Sequence, residues 1–90
     1  MAMERKIYSY KSSDRKAGRA WVEETYVTTA GIKDLLEAQR GRCVWCGCVL
    51  QQKWVKGDHE QLSVDRIDND RAHVLDNCQL LCLKCNKVKQ

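Results

Sequence analysis

The sequence contains no proline and no phenylalanine, and no stretch of it approaches the ~18–20 consecutive apolar residues that a membrane-spanning helix requires. Its opening residues, MAMERK, are not followed by an apolar segment, so a secretory signal peptide is not predicted. Repeats and linkers rich in proline or glycine are also missing. We therefore expect one small, soluble, intracellular domain, cytoplasmic or nuclear, that is neither secreted nor bound to a membrane.

The chain is too short to form a large hydrophobic core. A domain of this length buries only about 60–65% of the surface that its unfolded chain exposes. The apolar fraction is 43%, but this figure includes six cysteines. Small domains of this kind often depend on a bound metal ion or on disulfides for stability. The cysteines are therefore the first candidates for what stabilises the fold.

Four of the six cysteines form two Cys-x2-Cys pairs, and these four are Cys43, Cys46, Cys82 and Cys85. Disulfides are not expected in an intracellular protein. Two residues between thiolates allow the chain to turn and present both sulfurs to one tetrahedral ion, so we predict a structural Zn²⁺ bound by all four. The remaining Cys48 and Cys78 are interpreted as small buried residues, and Cys48 lies close enough to Cys46 to be an alternative ligand. A thioredoxin-like redox site is not favoured because no βαβ pattern surrounds the pairs.

The formal net charge is +4, from 16 Lys and Arg against 12 Asp and Glu, which is compatible with nucleic-acid binding without establishing it. Residues 1–20 are polar and basic. One interpretation is an N-terminal arm that contacts phosphates and stacks on bases. The interpretation we favour is a solvated, partly disordered segment. Residues 21–90 are predicted to form the zinc-bound domain.

The first part of that domain is predicted to contain a strand followed by a helix. Residues 21–27 are rich in aromatic and β-branched side chains, which are typical of strands. Thr28 or Thr29 can cap a helix predicted over residues 29–40. The spacing i, i+3, i+4 places three apolar residues on one face of this helix, namely Ile32, Leu35 and Leu36.

The second part is predicted to be mainly β. Residues 49–55 suit a hairpin, and residues 62–67 and 78–82 suit two strands joined by a loop. A helix should begin near Cys85, but it would be short and its end would fray. The predicted fold class is therefore α+β.

The residues between and just after the cysteine pairs carry the chemistry. Asp65 ends a predicted strand, His73 lies in the loop, Asn77 opens the next strand and Asn86 follows the last cysteine. Asp65 and Asn86 offer two oxygen ligands to a hard cation such as Mg²⁺, which keeps several waters for a substrate phosphate. One such ion can stabilise a leaving oxygen while a nearby base activates water.

Residues 42–89 resemble the HNH endonucleases, the His-Me finger or ββα-metal superfamily, in their zinc-knuckle form. The resemblance rests on Cys-x2-Cys, an aspartate-containing strand, His-x3-Asn and Cys-x2-Cys-Asn-x2-Lys, in that order. It implies a small zinc-stabilised ββα-metal domain, here preceded by a strand and a helix. It further implies cleavage of DNA with structural Zn²⁺ and a separate catalytic Mg²⁺ or Mn²⁺. By position, Asp65 and Asn86 match the ligands of the catalytic ion, and Asn77 matches the residue that orients the base.

The sequence departs from the family pattern directly after Asp65, where a general-base histidine is usual and Arg66 stands. A guanidinium group stays protonated and cannot accept a proton, although it can bind a phosphate or a developing negative charge. The base would then be His73, with His59 as the second candidate. For Asp65 itself, the simpler interpretation is a salt bridge to a neighbouring arginine.

Two functions follow from this reading. The first is a metal-dependent HNH-type endonuclease, a hydrolase acting on DNA phosphodiester bonds. The alternative is a non-catalytic zinc module that binds nucleic acid or a protein partner, in which Arg66 marks the lost base. The expected partner is nucleic acid, DNA first, with a protein partner left open for the non-catalytic module, and the sequence predicts no oligomeric state.

Overall fold

In the computed structural model, which describes residues 3–53 and 55–89, three helices pack around a two-stranded antiparallel sheet. Two short 3₁₀ turns, Glu23–Thr25 and Leu75–Asn77, lie between these elements. In chain order the helices and strands are α1 (Met3–Lys16), α2 (Thr29–Ala38), β1 (Leu62–Arg66), β2 (Cys78–Cys82) and α3 (Leu83–Lys89). The predicted α+β class is confirmed.

The sheet is the centre of the core. Strands β1 and β2 pair in antiparallel register, with Leu62 opposite Cys82 and Arg66 opposite Cys78. Leu80 and Leu81 are both fully buried, although neighbouring side chains of a strand point to opposite faces of a sheet. Both faces of β2 are therefore covered, and α2 and α3 both contact this strand.

Helix α2 forms as the sequence predicts. The Thr28 hydroxyl caps it by accepting a hydrogen bond from the Gly31 N–H at 3.0 Å. Ile32 is buried, and Leu35 and Leu36 pack against the core from the same face. The helix ends at Ala38, two residues before the predicted end, because Arg40 and Gly41 adopt positive φ angles of 55° and 71° and turn the chain out of the helix. The Gln39 side chain at this end pairs with the backbone of β2. Its amide donates to the Leu80 carbonyl at 2.9 Å and accepts from the Leu80 N–H at 3.0 Å.

A loosely structured segment is predicted over residues 1–20, and this prediction is wrong for Met3–Lys16, which form helix α1. Ile7 and Tyr10 pack against the core, and Asp14 is fully buried. These three residues recur at i, i+3 and i+7, which is the spacing of one helix face. The many polar residues around them conceal this face in the sequence.

Two of the predicted β segments do not form. Within residues 21–27 a 3₁₀ turn, Glu23–Thr25, replaces the strand, and Tyr26 makes a single antiparallel bridge to Val74. The predicted hairpin over residues 49–55 is replaced by isolated bridges, including one between Gln51 and Gln61, and Trp54 lies outside the described residues. Neither segment has a neighbouring strand long enough to extend the pairing. No helix within residues 3–53 or 55–89 is both long and apolar enough to cross a membrane.

Candidate functional site

The four predicted zinc ligands form one cluster. Their Sγ atoms all lie within 4.8 Å of one another, and the Cys46 and Cys82 sulfurs are 3.8 Å apart. Four sulfurs at the usual ~2.3 Å from a tetrahedral zinc ion lie ~3.8 Å from each other. The cluster can therefore hold a structural metal ion such as zinc, and its members are Cys43, Cys46, Cys82 and Cys85.

Local backbone geometry presents these sulfurs. In the first pair the chain turns back on itself, with the Gly47 N–H donating to the Cys43 carbonyl at 3.0 Å and Gly47 at φ +78°, which glycine adopts without strain. The second pair spans the junction between β2 and α3, where the Cys85 N–H donates to the Cys82 sulfur at 3.4 Å. Two segments far apart in sequence thus meet at one point.

The sulfurs need a cation nearby if they are to be ionised together. The Cys48 N–H and the neighbouring thiols lower the pKa of Cys46 to about 6. By contrast, burial and the adjacent sulfurs raise the pKa of Cys85 to about 12. A bound divalent ion removes this mutual repulsion, since thiolates are its ligands. Cys48 is half-buried beside the cluster without belonging to it, and Cys78 is buried in the core as predicted.

A second polar group surrounds Asp65 on β1. The Asp65 carboxylate is 5% exposed and accepts a hydrogen bond from the Gln79 amide, its partner across the sheet, at 2.9 Å. It also accepts from the Lys89 ammonium on α3 at 2.6 Å, and the same ammonium donates to the Arg66 carbonyl at 2.5 Å. The salt bridge considered for Asp65 is therefore present, with a lysine from α3 in place of the expected arginine.

Asn86 lies on the same side of β1. Its amide donates to the Ser63 hydroxyl at 3.0 Å, and Ser63 and Asp65, two residues apart, share one face of the strand. Asn86 and Lys89 are three residues apart and share one face of α3. Asp65 and Asn86 accordingly line the same pocket, which has a volume of about 690 Å³.

Two further predicted residues line this pocket, and a third does not. His73 is 7% exposed and contributes to the wall, as does Arg66. The Arg66 guanidinium donates to the carbonyls of Asn69 and Arg71 and thereby holds the loop after β1. His59 is exposed in a turn and is not among the residues that line the pocket.

Asp14 is a functional candidate that the sequence analysis missed. Its Oδ2 accepts hydrogen bonds from the Tyr26 hydroxyl at 2.6 Å, the His73 ring Nδ1 at 2.9 Å and the His73 backbone N–H at 3.0 Å. Its Oδ1 accepts from the Arg19 Nε at 2.7 Å. Burial raises the pKa of Asp14, but these hydrogen bonds outweigh it and lower the pKa to about 2. The carboxylate is therefore ionised at neutral pH.

Asn77 organises the loop that carries His73. It is 2% exposed, and its Oδ1 accepts from the Asp68 N–H at 2.9 Å. Its amide donates to backbone carbonyls of the same loop, those of Asp68, Arg71 and Ala72. The structure thus places Asn77 behind the pocket as a clamp on the loop backbone.

Replacing Asn77 with alanine should lower the free energy of unfolding by about 2–4 kcal/mol, because buried backbone groups of the loop lose their partner. Urea denaturation of the zinc-loaded protein measures this loss. Asp76→Ala is the matched control, since the neighbouring Asp76 side chain is 76% exposed and pairs only with Arg71 among the contacts described. Equal stability of the two variants would contradict the role of Asn77 as a clamp.

The described residues thus present a four-sulfur cluster and a polar pocket that contains Asp65, Asn86, His73 and Arg66. Comparison of the chain with protein-family models, with curated proteins and with solved structures gave no match. The chemistry of these two groups of residues therefore provides the evidence for a function.

Proposed function

We propose that this chain is a metal-dependent endonuclease of the HNH type that hydrolyses phosphodiester bonds in DNA, with Zn²⁺ as its structural metal. The observation that supports the proposal is the convergence of Asp65, Asn86 and His73 on one polar pocket. The pocket adjoins the strand–helix junction that the four cysteines anchor. Its residues match the roles that hydrolysis of a phosphodiester requires, namely ligands for a cation and a proton acceptor.

Asp65 and Asn86 are the proposed ligands of Mg²⁺ or Mn²⁺, through a carboxylate oxygen and an amide oxygen. A bound ion would stabilise negative charge on the phosphate and the leaving oxygen. For Asp65 to serve as a ligand, the Lys89 ammonium must move away from the carboxylate, and the Asn86 amide must present its oxygen. A long lysine side chain near a helix end can make this movement at small cost.

Nucleic acid is the proposed partner because phosphate-binding groups extend from this pocket along α1. A neighbouring hollow of about 620 Å³ shares Ser9, Ser13 and Arg66 with the pocket. Its wall also contains Lys16 and Arg19. Basic side chains and serine hydroxyls are the groups that most often contact the sugar–phosphate backbone. A DNA strand bound along α1 would therefore place one of its phosphates next to Asp65.

The test is nicking of supercoiled plasmid by zinc-loaded protein in the presence of Mn²⁺ or Mg²⁺. We expect conversion to the open circular form only when the divalent ion is added. Asn86→Ala should slow nicking by at least about tenfold, because a proposed ligand is lost. Val88→Ala is the matched control, since Val88 is an exposed residue of the same helix, and it should nick as the wild-type protein does.

The alternative function, a non-catalytic zinc module that binds nucleic acid or a protein, is favoured by one observation. Arg66 holds a loop, and the Lys89 ammonium pairs with Asp65. A lysine side chain therefore occupies the carboxylate to which an active nuclease would bind a divalent metal ion. Plasmid binding in a gel-shift assay, without nicking at any Mn²⁺ or Mg²⁺ concentration, would overturn the nuclease proposal in favour of this one.

A further inference from the structure

We infer that Asp14 is a positioning residue that holds His73 in the orientation and tautomer of a general base, so that a loop histidine supplies the proton acceptor that Arg66 cannot. This inference rests on the proposed nuclease function and assigns a role to α1, which lies outside the segment that resembles the HNH family. The residues that carry it are Asp14 and Tyr10 on α1 and His73 in the loop before β2.

Three contacts from α1 fix the His73 side chain. The Asp14 Oδ2 atom accepts hydrogen bonds from both the ring Nδ1 and the backbone N–H of His73, at 2.9 and 3.0 Å. The Tyr10 ring stacks on the imidazole, with a centroid distance of 4.4 Å and an angle of 13° between the planes. Asp14 thus holds the His73 backbone and the edge of its ring, and Tyr10 covers the face of the ring. Together these contacts fix the plane of the imidazole.

The hydrogen bonds of Asp14 also determine which ring nitrogen carries the proton. Asp14 receives donors from Arg19 and Tyr26 as well as from His73, and an ionised carboxylate accepts but cannot donate. The proton of the neutral imidazole must therefore sit on Nδ1, where it is donated to Asp14. Nε2 is then the nitrogen with a free lone pair, which a general base needs.

Burial favours the neutral form of His73. Burial lowers the pKa of His73, and although Asp14 opposes this, Arg66 and Arg19 lower the pKa further. Two tyrosines, Tyr10 and Tyr26, also pack nearby, and burial raises the pKa of each, so both remain neutral at physiological pH. Lys6 and Asp65 are the other charged groups that line the pocket with His73 and Arg66. A neutral imidazole can accept a proton from water.

The proposed step uses the pocket that His73 shares with Asp65 and Asn86. The oxygen of a water molecule bonds to the phosphorus as its proton passes to Nε2 of His73. The bond between the phosphorus and the leaving sugar oxygen breaks, and that oxygen takes a proton from solvent. Within residues 3–53 and 55–89, His73 is the histidine that lines this pocket, whereas His59 does not.

The experiment compares Asp14→Asn with Tyr26→Phe in the zinc-loaded protein. Asp14→Asn replaces the buried carboxylate and so alters the partner of the imidazole, whereas Tyr26→Phe removes one hydrogen bond to that carboxylate and leaves the imidazole with its partner. We expect Asp14→Asn to slow Mn²⁺-dependent nicking by about a hundredfold, within the range that general-base catalysis contributes. Tyr26→Phe should stay within about threefold of the wild-type rate.

A second measurement reads the tautomer directly and does not depend on activity. Nitrogen NMR of isotope-labelled histidine should show His73 protonated on Nδ1 in the wild-type protein, and a mixture of tautomers in Asp14→Asn. If Asp14→Asn does not fold, His73→Ala replaces it. Its lost nicking should then be partly restored by added imidazole, which a purely structural histidine would not allow.

The outcomes separate the two proposals. This inference would be overturned, and the nuclease function would stand, if Asp14→Asn nicked plasmid at the wild-type rate. The same conclusion would follow if His73→Ala did so without added imidazole. An Nε2-protonated His73 in the wild-type spectrum would overturn it as well. Absence of nicking by the wild-type protein would overturn the nuclease function and the role of His73 as a base with it.

Discussion

A chelator that removes zinc should unfold this protein. The cysteine cluster joins the turn at residues 43–46 to the junction of β2 and α3 and so closes a loop of the 35 residues between the two pairs. Structural zinc contributes ~10–16 kcal/mol in zinc-finger peptides, whereas whole domains are stable by only ~5–15 kcal/mol. Without the ion, four crowded sulfurs remain, and the small core cannot compensate for them.

Far-UV circular dichroism and thermal melting, before and after chelation, measure this effect. We expect loss of the cooperative transition and its return when Zn²⁺ is added back. Cys82→Ser should behave as the chelated protein does. Cys48→Ser is the matched control, because Cys48 lies beside the cluster but is not one of its four members, and it should still bind one zinc ion per chain. A cooperative melt that persists in chelator would contradict the assignment.

Asp65→Asn should abolish divalent-metal-dependent nicking while leaving the fold intact. The substitution keeps the size of the side chain but removes the negative charge that a hard cation needs. We expect the rate to fall by at least about a hundredfold, because the stabilisation of charge that an ion provides is lost with the ion. Plasmid nicking measures the rate, and circular dichroism confirms the fold. Asp76→Asn makes the same chemical change at an exposed position and should retain activity.

Lys89→Met provides a second comparison, with an effect in the opposite direction. It leaves the Asp65 carboxylate in place and removes the ammonium that occupies it at 2.6 Å. The Mn²⁺ concentration for half-maximal nicking should fall by roughly tenfold, equivalent to about 1.4 kcal/mol. Lys87→Met, at an exposed position on the same helix, should leave this concentration unchanged. Unaltered nicking by Asp65→Asn would show that the divalent ion binds elsewhere.

Several features of the fold were predictable because their signals are local. The strand predicted over residues 78–82 is β2, and the strand predicted over residues 62–67 is β1, one residue shorter. The spacing of the cysteine pairs predicted the cluster because tetrahedral geometry restricts how two sulfurs on a tight turn can be placed. The Thr28 cap likewise depends on residues within one turn of the helix.

The features that were missed depend on contacts between distant residues. The Asp14–His73 pair joins residues 59 positions apart, and neither residue alone indicates the other. Helix α1 was missed because its buried face consists of Ile7, Tyr10 and Asp14, and a buried aspartate does not contribute to an apolar pattern. Lys89 was not predicted as the partner of Asp65 because the pair depends on how α3 packs against β1, which the sequence near either residue does not specify.

The most direct measurement is anomalous X-ray diffraction from crystals of the zinc-loaded protein soaked in Mn²⁺. We expect a zinc peak about 2.3 Å from each of the four clustered sulfurs. We also expect a separate manganese peak in contact with the oxygens of Asp65 and Asn86, with the Lys89 ammonium displaced. Zinc without any manganese peak at Asp65 would contradict the nuclease site, and sulfurs without zinc would contradict the structural basis of the whole domain.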